Sequence, residues 1–366
     1  MVKLHLVVVV TALLCAHFAA AEWRPFRLWF PTYLKHYRYK WGDSCDALLN
    51  VSKKEDSWCE SASDCILSNT PETQKANMAG AGILLGLAPS IIGNLAPTIE
   101  SMAILATERP LLGFLVSGGT PAVFMARLFS VSDPLEPLSV APFATYTKKR
   151  NTNTRIENVF VNLVEYGLAA ASTANVIYTS YSISQRSIVS WSCPNWLWVI
   201  CWSFTPAFAH ILAVLIFRST VRIVRPRQQK SHENGGWMDP NLLERFGGIL
   251  WRREFMPCSE RDLPQYEVRK DRFSRSARWV SPVISYIQLV AGTAILGSLL
   301  YIPFGDALPL VAKYVLSGVA SRALVSFELT NLRKRNFDII KRKEHLLVPV
   351  DSVQLVQFSG SDSGSR

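Results

Sequence analysis

The chain has 366 residues, of which 49% are hydrophobic and only 18% charged, and it carries a formal net charge of +11. Soluble domains have about 25% charged residues, and here the apolar residues form long blocks with the charges collected between them. This pattern excludes an ordinary soluble domain and is typical of a multi-spanning membrane protein, whose Lys and Arg gather in cytoplasmic loops. The positive charge therefore does not predict a nucleic-acid partner.

The N-terminus has the pattern of a secretory signal peptide. Lys3 precedes an apolar stretch at 4–18, and Ala19 and Ala21 form a small-x-small cleavage site. This pattern predicts a signal peptide at 1–21 that is removed before Glu22. An uncleaved signal anchor is the alternative. In both cases the residues from Glu22 onward begin outside the cytosol.

The segment at 22–77 is predicted to be an extracellular or lumenal domain with disulfides. Disulfides persist in oxidising compartments, and three cysteines in this segment leave one without a partner. A later loop, also predicted to be outside, supplies a fourth. The disulfide candidates are Cys45, Cys59, Cys65 and Cys193. The sequon "NVS" makes Asn50 the candidate glycosylation site, which requires the same outer location.

Six apolar blocks are candidates for membrane-spanning helices, because about 20 apolar residues cross a hydrocarbon core. They lie at 78–97, 111–126, 159–181, 196–217, 279–304 and 307–329. The blocks at 159–181, 196–217 and 279–304 are the strongest. The block at 111–126 is short, and we expect it to be a re-entrant or interfacial segment. The region 279–329 is expected to form a transmembrane hairpin.

The distribution of basic residues predicts how the chain is threaded. The loop at 218–278 holds 14 Lys and Arg against 8 Asp and Glu, and the tail at 330–366 starts with two basic triplets. Both are expected in the cytoplasm, as is the basic loop at 127–157. With the N-terminus outside, this arrangement requires an odd number of crossings before residue 127. Five crossings are therefore expected in total, with six as the alternative.

The first block contains "GILLGLAPSIIGN", in which small residues and a proline interrupt the apolar run. Gly82 and Gly86 form a GxxxG pattern, which lets two helices approach closely in lipid. Pro89 removes a backbone donor and favours a kink. The pattern predicts a kinked helix packed against its neighbours. A broken helix that forms a pore or a substrate site is the alternative.

Polar residues within the apolar blocks are candidates for function, because charges at mid-bilayer cost about 2.5–3.5 kcal/mol on insertion scales. Glu165 could bind a cation or proton, or it could form a structural hydrogen bond. The opposite charges suggest that Glu165 pairs with Lys313 or Arg322. The intramembrane polar candidates are Asn162, Glu165, Lys313 and Arg322.

Other polar residues of the blocks are expected to have structural roles. His210 is expected to be a packed polar residue rather than a ligand. Glu100, Glu108 and Arg109 are expected to form a solvated turn after the first block.

The basic loop contains a candidate amphipathic helix at 240–255. Asp239 can cap this helix and Pro240 can occupy its first turn. Apolar residues then recur at helical spacing between arginines and tryptophans, which is typical of a helix on a membrane surface. We expect this helix to contact anionic lipids at the inner leaflet. A basic loop without further function is the alternative. The end of the tail at 330–366 is expected to be disordered.

No pattern in the chain predicts catalysis. The sequence has no P-loop, no HExxH, no GxSxG, no dinucleotide-binding loop and no Cys or His spacing suited to zinc. We therefore expect no catalytic residues, no cofactor-binding residues and no metal ligands, and the protein is expected not to be an enzyme. No sequence feature identifies a protein partner.

One stretch resembles a group of uncharacterised fungal multi-pass membrane proteins. The matching features are the pair Cys59 and Cys65, "DCILSNTPETQKANM", "LLGLAP", "ERPLLGFL" and "GTPAVF". The resemblance covers residues 45–130 well and the two following spans loosely. It implies a fungal membrane protein of the secretory pathway, and it implies no reaction because the group has no assigned activity.

The sequence thus predicts an all-α, polytopic transmembrane helix bundle with a small disulfide-bearing N-terminal extracellular segment. The expected location is the plasma membrane, with the ER or another secretory membrane as the alternative. The expected function is that of a non-enzymatic scaffold or sensor. A transporter or channel that uses the first helix and Glu165 is the alternative.

Overall fold

The structure is a computed structural model that describes residues 26, 28–36, 45, 58–123, 136–139, 155–193, 195–224, 254–255, 265–268 and 279–347. The predicted signal peptide, the sequon at Asn50, the amphipathic helix except for its last two residues, and the end of the tail lie outside these residues. The described chain is mostly helical, as the sequence predicts.

The helices, in chain order, are α1 (Pro31–His36), α2 (Trp58–Ser68), α3 (Glu72–Leu95), α4 (Ile99–Glu108), α5 (Pro110–Gly118), α6 (Glu136–Ser139), α7 (Arg155–Arg186), α8 (Leu197–Thr220), α9 (Val280–Gly297) and α10 (Phe304–Leu347). The strands are β1 (Ile188–Val189), β2 (Val221–Val224), β3 (Gln265–Val268) and β4 (Leu299–Leu300). They pair antiparallel as β1 with β4 and β2 with β3. The first pair joins Ile188 to Leu300, and the second joins Val221 to Val268.

Three helices of the described chain are long and apolar enough to cross a membrane: α3, α8 and the part of α10 from Phe304 to Thr330. A helix of 24 residues, such as α3 or α8, rises about 36 Å at 1.5 Å per residue. This length exceeds a hydrocarbon core of roughly 30 Å. The chain is therefore compatible with a membrane protein. The full set of crossings, including α7 and α9, stays a prediction.

Large apolar side chains line the outer faces of the long helices. They recur three or four residues apart, which is the spacing of one helix face. Exposed members include Ile83, Leu87 and Ile91 on α3, Val159, Phe160, Leu163 and Val164 on α7, Phe208, Leu212 and Leu215 on α8, Val283, Ile287 and Val290 on α9, and Leu316, Val319 and Phe327 on α10. Water contact with such a surface is unfavourable by about 25 cal/mol per Å². Lipid tails remove this cost.

The predicted close helix approach at Gly82 and Gly86 occurs between α3 and α9. A Cβ atom added to Gly86 would lie 3.4 Å from the Cα of Gly297, and one added to Gly82 would lie 3.2 Å from the Gly297 carbonyl oxygen. Helix α3 continues through Pro89 as one element and ends at Leu95. The alternative of a helix broken at this proline is therefore wrong for this segment.

Three helices meet most tightly at Gly292 of α9. A Cβ atom at this position would lie 2.3 Å from Nε1 of Trp202 in α8 and 2.9 Å from Cγ of Pro89 in α3. The Trp202 indole is buried and donates from Nε1 to the carbonyl oxygen of Gln288, one turn before Gly292. Only glycine leaves room for the indole here.

Disulfides and aromatic rings form one end of the bundle, called here the disulfide end. Cys45 pairs with Cys65, and Cys59 pairs with Cys193. The need for a fourth cysteine from the later loop is thus confirmed. The second bridge ties α2 to the chain that follows β1. It crosses 134 residues of sequence, so it constrains the connection between the 22–77 segment and the bundle.

Aromatic side chains fill the space beside these bridges. The hydroxyl group of Tyr301 lies 2.7 Å from Ser63 Oγ in α2, and its ring packs edge-on against Trp29 and Phe26. Phe26 and Tyr301 have left-handed φ values of 63° and 67°, a conformation that persists in non-glycine residues only where surrounding contacts hold it. Burial, and to a smaller degree the charge of Asp306, raise the pKa of Tyr33 in α1 to about 12.

In the block at 111–126 the helix α5 ends at Gly118, and α4 lies before the block. Helices α4 and α5 have 10 and 9 residues, so each rises only about 15 Å and neither crosses a hydrocarbon core alone. They fold back on each other at close range, because a Cβ atom on Gly113 would lie 2.7 Å from the Cα of Ala106. The number of crossings before residue 127 remains a prediction.

The end of the bundle away from the disulfides contains the last turns of α3 and the middle of α10. Arg322 of α10 donates from Nη1 to the carbonyl oxygen of Asn94 in α3 at 2.9 Å. Helix α10 then continues to Leu347, well beyond the predicted end of the last span at residue 329. The basic residues after 329 thus begin as a continuation of the helix rather than as a separate tail.

We predict that Gly292→Ala destabilises the protein and that Gly167→Ala does not. Both replace a glycine inside a helix, and alanine favours a helix by about 1 kcal/mol. At Gly167 nothing lies within 4 Å of the added Cβ atom, whereas at Gly292 the Cβ atom collides with Trp202. Overpacking costs about 1–3 kcal/mol. Unfolding of the detergent-purified variants measures the difference, and equal stability of the two variants would contradict the packing described.

Candidate functional site: a buried arginine cluster

Arg109 is the largest fully buried side chain in the described part of the chain. It follows the last residue of α4 and precedes Pro110, the first residue of α5. Proline disfavours helical conformation in the residue before it, and Arg109 accordingly takes φ −130° and ψ 81°. The chain turns at this residue, and the guanidinium group enters the bundle.

The guanidinium group binds side chains from two long helices. Its Nη1 forms ion pairs with Glu165 of α7 and with Glu328 of α10, the latter at 3.0 Å. Its Nη2 donates to Oδ1 of Asn162, one turn before Glu165, at 2.7 Å. The group also lies over the Tyr166 ring, 5.4 Å from the ring centroid. Arg109 therefore joins the α4–α5 turn to α7 and α10.

Residues of the 218–278 loop complete the site through their backbone. Nε of Arg109 donates to the carbonyl oxygen of Glu254 at 2.9 Å. Nδ2 of Asn162 donates to the carbonyl oxygen of Phe255 at 2.6 Å. The Phe255 ring also packs against the Tyr166 ring, with centroids 5.6 Å apart. The loop thus returns to the bundle at this point.

The Glu254 carboxylate has its own partners in the site. Its Oε1 accepts from the backbone nitrogen of Leu112 at 2.9 Å and from the Tyr166 hydroxyl group at 2.6 Å. The Leu112 nitrogen belongs to the first turn of α5, whose backbone donors have no partner within the helix. A carboxylate is favoured at such a position. We call Arg109, Asn162, Glu165, Tyr166, Glu254 and Glu328 the arginine cluster.

The chemistry of the cluster suits arginine in particular. A guanidinium group has five N–H donors in a rigid planar arrangement, and it remains charged in proteins. Arg109 uses this arrangement to hold four acceptors that come from three separate parts of the chain. Removal of one member of a buried ion pair costs about 3–5 kcal/mol, because the other charge is left uncompensated. The cluster therefore constrains all the segments that meet in it.

Two of the predicted polar residues, Asn162 and Glu165, are brought together in the cluster, and the other two are not. Lys313 lies with its Nζ 5.6 Å from the centroid of the Tyr178 ring. Arg322 is exposed and binds the end of α3. The hypothesis that Glu165 pairs with Lys313 or Arg322 is therefore wrong. Its cation is Arg109, from outside the predicted spans.

The expectation of a solvated turn at Glu108 and Arg109 is also wrong, because both side chains are buried. The sequence does contain a signal that points to this result. "ERP" interrupts an apolar stretch that runs from Ile99 to Val116, and three residues are too few for a loop that leaves a membrane and returns. Glu254 and Glu328 were not identified from the sequence at all.

His210 of α8 is buried, and neither of its ring nitrogens has a hydrogen-bond partner. This burial agrees with a packed polar residue. Within the described residues, no group of three or more His, Cys, Asp or Glu side chains could hold a metal ion. Cysteines outside the two disulfides include Cys201, which is exposed on α8.

No protein-family model matches the chain, and neither a curated protein nor a solved structure matches it.

We predict that Arg109→Lys lowers the free energy of unfolding by about 3 kcal/mol. Lysine keeps the positive charge but cannot reach Asn162 and the Glu254 carbonyl oxygen together with the carboxylates. Two hydrogen bonds from a charged donor are lost, at about 1.5 kcal/mol each. Arg322→Lys is the matched control, because this arginine is exposed and its replacement is expected to change stability by less than about 0.5 kcal/mol.

The measurement is the unfolding of both variants in detergent, compared with the wild type. A loss of stability for Arg109→Lys no larger than that for Arg322→Lys would contradict this prediction. It would show that the hydrogen bonds from Arg109 to Asn162 and to the Glu254 carbonyl oxygen contribute little to stability.

Proposed function

We propose that the protein is a non-enzymatic integral membrane protein of the secretory pathway or cell surface, and that it acts as a scaffold or sensor. The observation that carries this proposal is the attachment of the 218–278 loop to the arginine cluster through Glu254 and Phe255. A protein that presents a loop to partners needs such an attachment, because an unattached loop of this length has no fixed position.

The same helices connect this loop to the disulfide end. Helix α7 carries Asn162 and Glu165 near its start and leads through β1 to Cys193 at its other end. Helix α10 begins beside α3, where the Phe304 nitrogen donates to Oδ1 of Asn77, and it reaches the cluster at Glu328. A change at the disulfide end can therefore shift the helices that hold the loop. This connection supports a sensor.

The basic character of the loop supports a role at a lipid surface. We propose that its arginines and lysines bind anionic lipids, since each basic residue near an anionic leaflet contributes about 1 kcal/mol. The lipid bilayer is then the first partner of the protein, and the plasma membrane is its proposed location. The proposal includes membership in the fungal group, with its secretory location, on the strength of the shared motifs at 45–130.

A transporter or channel is the second candidate, and one observation favours it. Oε1 of Glu165 is buried and accepts no hydrogen bond, and buried carboxylates in membrane helices often belong to ion or proton pathways. The scaffold is preferred because the cluster is closed. The exposed fractions of Arg109, Glu165 and Glu328 are 0%, 2% and 2%, so none of these side chains contacts a water-filled cavity in this conformation.

The two candidates predict different accessibility for the interior of α7. We expect Ser172→Cys to remain unlabelled by membrane-impermeant thiol reagents applied to either side of sealed vesicles. Ser172 is buried two turns after Glu165, and its replacement by cysteine is nearly isosteric. The background protein keeps its two disulfides and has its other cysteines replaced by alanine.

Glu72→Cys is the positive control, because the Glu72 side chain is 86% exposed at the disulfide end. Labelling of Ser172→Cys from one side, at a rate near that of the control, would show a water-filled path and would favour the transporter over the scaffold.

A further inference from the structure

The disulfide end contains an arginine whose hydrogen-bond donors are unused within the described part of the chain. Arg186 is the last residue of α7, and its side chain is partly buried. Its guanidinium carbon lies 5.7 Å from the centroid of the Phe30 ring. This contact uses the charge of the group and not its five N–H donors. Those donors form no hydrogen bond with any described residue.

No described carboxylate neutralises this arginine. The carboxylates described at the disulfide end belong to Glu60, Asp64, Glu72 and Asp306. Glu72 pairs with Lys75, and Asp306 accepts from the backbone nitrogen of Thr32. Among the residues whose placement the structure gives, none forms an ion pair with Arg186. A partly buried charge without a partner is costly, so the position favours an anion supplied by a ligand.

Arg186 lines a pocket beside the aromatic rings of the disulfide end. The other lining side chains include Phe26, Leu28, Trp29, Gln185 and Tyr301. The Gln185 side chain is partly buried and, like that of Arg186, forms no hydrogen bond with another described residue. We call this space the Arg186 pocket. It combines a cation and an amide, both with donors to spare, with apolar walls.

The size of the Arg186 pocket restricts what it can hold. The open space measures about 210 Å³, which is the liquid volume of roughly seven water molecules. Pockets that enclose a whole small molecule measure roughly 300–1,000 Å³. The space therefore suits a phosphate group and the atoms next to it, with the rest of the molecule outside.

The surroundings of the pocket are typical of the level of lipid headgroups. Tyr181 precedes Arg186 on α7 and Trp191 follows it, and both rings are exposed. Exposed tyrosine and tryptophan side chains gather where a bilayer meets water. Leu28, which lines the pocket, is also exposed, so an apolar side chain lies at the rim. A lipid headgroup fits this position, because its chains stay in the bilayer.

We propose that the Arg186 pocket binds the phosphate group of a membrane lipid in the leaflet at the disulfide end. The guanidinium group donates to the phosphate oxygens in the paired arrangement that arginine favours. The Gln185 amide adds a neutral donor, and the Phe30 ring holds the guanidinium group in place. The acyl chains remain outside the pocket, beside Leu28.

This site goes beyond the proposed function, in which the lipid contact is made by the 218–278 loop at the other end of α7. It requires that the chain lies in a membrane, and it does not require a scaffold or a sensor. For a sensor, the pocket places a ligand at the end of the helix whose start carries Asn162 and Glu165 of the arginine cluster.

Binding of short-chain lipids to the full chain in a non-ionic detergent tests the proposal. Native mass spectrometry counts the molecules retained at each lipid concentration. The probes are dioctanoyl phosphatidic acid, dioctanoylglycerol, which has the same chains without the phosphate group, and inorganic phosphate. We expect phosphatidic acid to bind more tightly than both, because it alone combines the phosphate with the chains.

Three variants assign this binding to the pocket. Arg186→Gln is expected to weaken the binding of phosphatidic acid about tenfold or more, since hydrogen bonds to a charged group are lost. Gln185→Ala keeps the charge and removes a neutral donor, so we expect a loss of about threefold to tenfold. Lys75→Gln is the matched control. It removes one positive charge at the same end, but Lys75 already pairs with Glu72, and its affinity is expected to equal that of the wild type.

Binding of lipid to the basic loop is common to all three variants, so the differences between them report on the pocket. Both pocket side chains form no hydrogen bond with other described residues, and their variants are expected to fold.

Three results would overturn the proposal. The first is a wild type that binds phosphatidic acid no more tightly than dioctanoylglycerol, which decides the matter even if no variant can be purified. The second is an equal loss of affinity in Arg186→Gln and Lys75→Gln, which would reduce the effect to surface charge. The third is inorganic phosphate that binds as tightly as phosphatidic acid, which would identify a site for free phosphate. The scaffold role is tested separately by the labelling of Ser172→Cys.

Discussion

The burial of one arginine between two short helices is the constraint on which the structure depends. Pro110 makes the chain turn at Arg109, and the turn directs a permanent positive charge into a mostly apolar bundle. Such a charge is tolerated only with close partners. Glu165, Glu328 and Asn162 are therefore required at fixed places on α7 and α10, and the 218–278 loop must return to supply the backbone oxygen of Glu254.

The remaining architecture follows from a bundle that is apolar outside and locally polar inside. Exposed leucine, valine and phenylalanine side chains on the long helices favour lipid. Close approach at Gly297 and at Gly292 lets α3, α8 and α9 pack tightly, and small residues at such contacts are typical of helices that associate in lipid. At the disulfide end, the Cys59–Cys193 bridge fixes α2 to the bundle. Helices α7 and α10 link that end to the cluster.

The sequence predicted features that depend on local pattern. The apolar blocks predicted the long helices, and the GxxxG pattern predicted the close approach of a neighbouring helix at Gly86. The odd number of cysteines in the 22–77 segment predicted that a later cysteine, Cys193, completes the disulfides. Ion pairs between residues that are far apart in the sequence could not be predicted from local pattern. Nothing in the chain near Glu165 identifies Arg109, which lies 56 residues earlier, and the rule that charges between apolar blocks are solvated failed at Arg109. Glu254 lies in a loop that is rich in basic residues, and nothing in the loop sequence distinguishes it from the other acidic residues there.

The most direct test of the account compares Arg109→Met with the triple variant Arg109→Met, Glu165→Gln, Glu328→Gln. Loss of the arginine alone leaves buried carboxylates without a cation and is expected to cost about 3–5 kcal/mol of unfolding free energy. Replacement of the carboxylates together with the arginine removes that penalty, so the triple variant is expected to recover most of the lost stability. A triple variant no more stable than Arg109→Met alone would contradict the central role of the ion pairs.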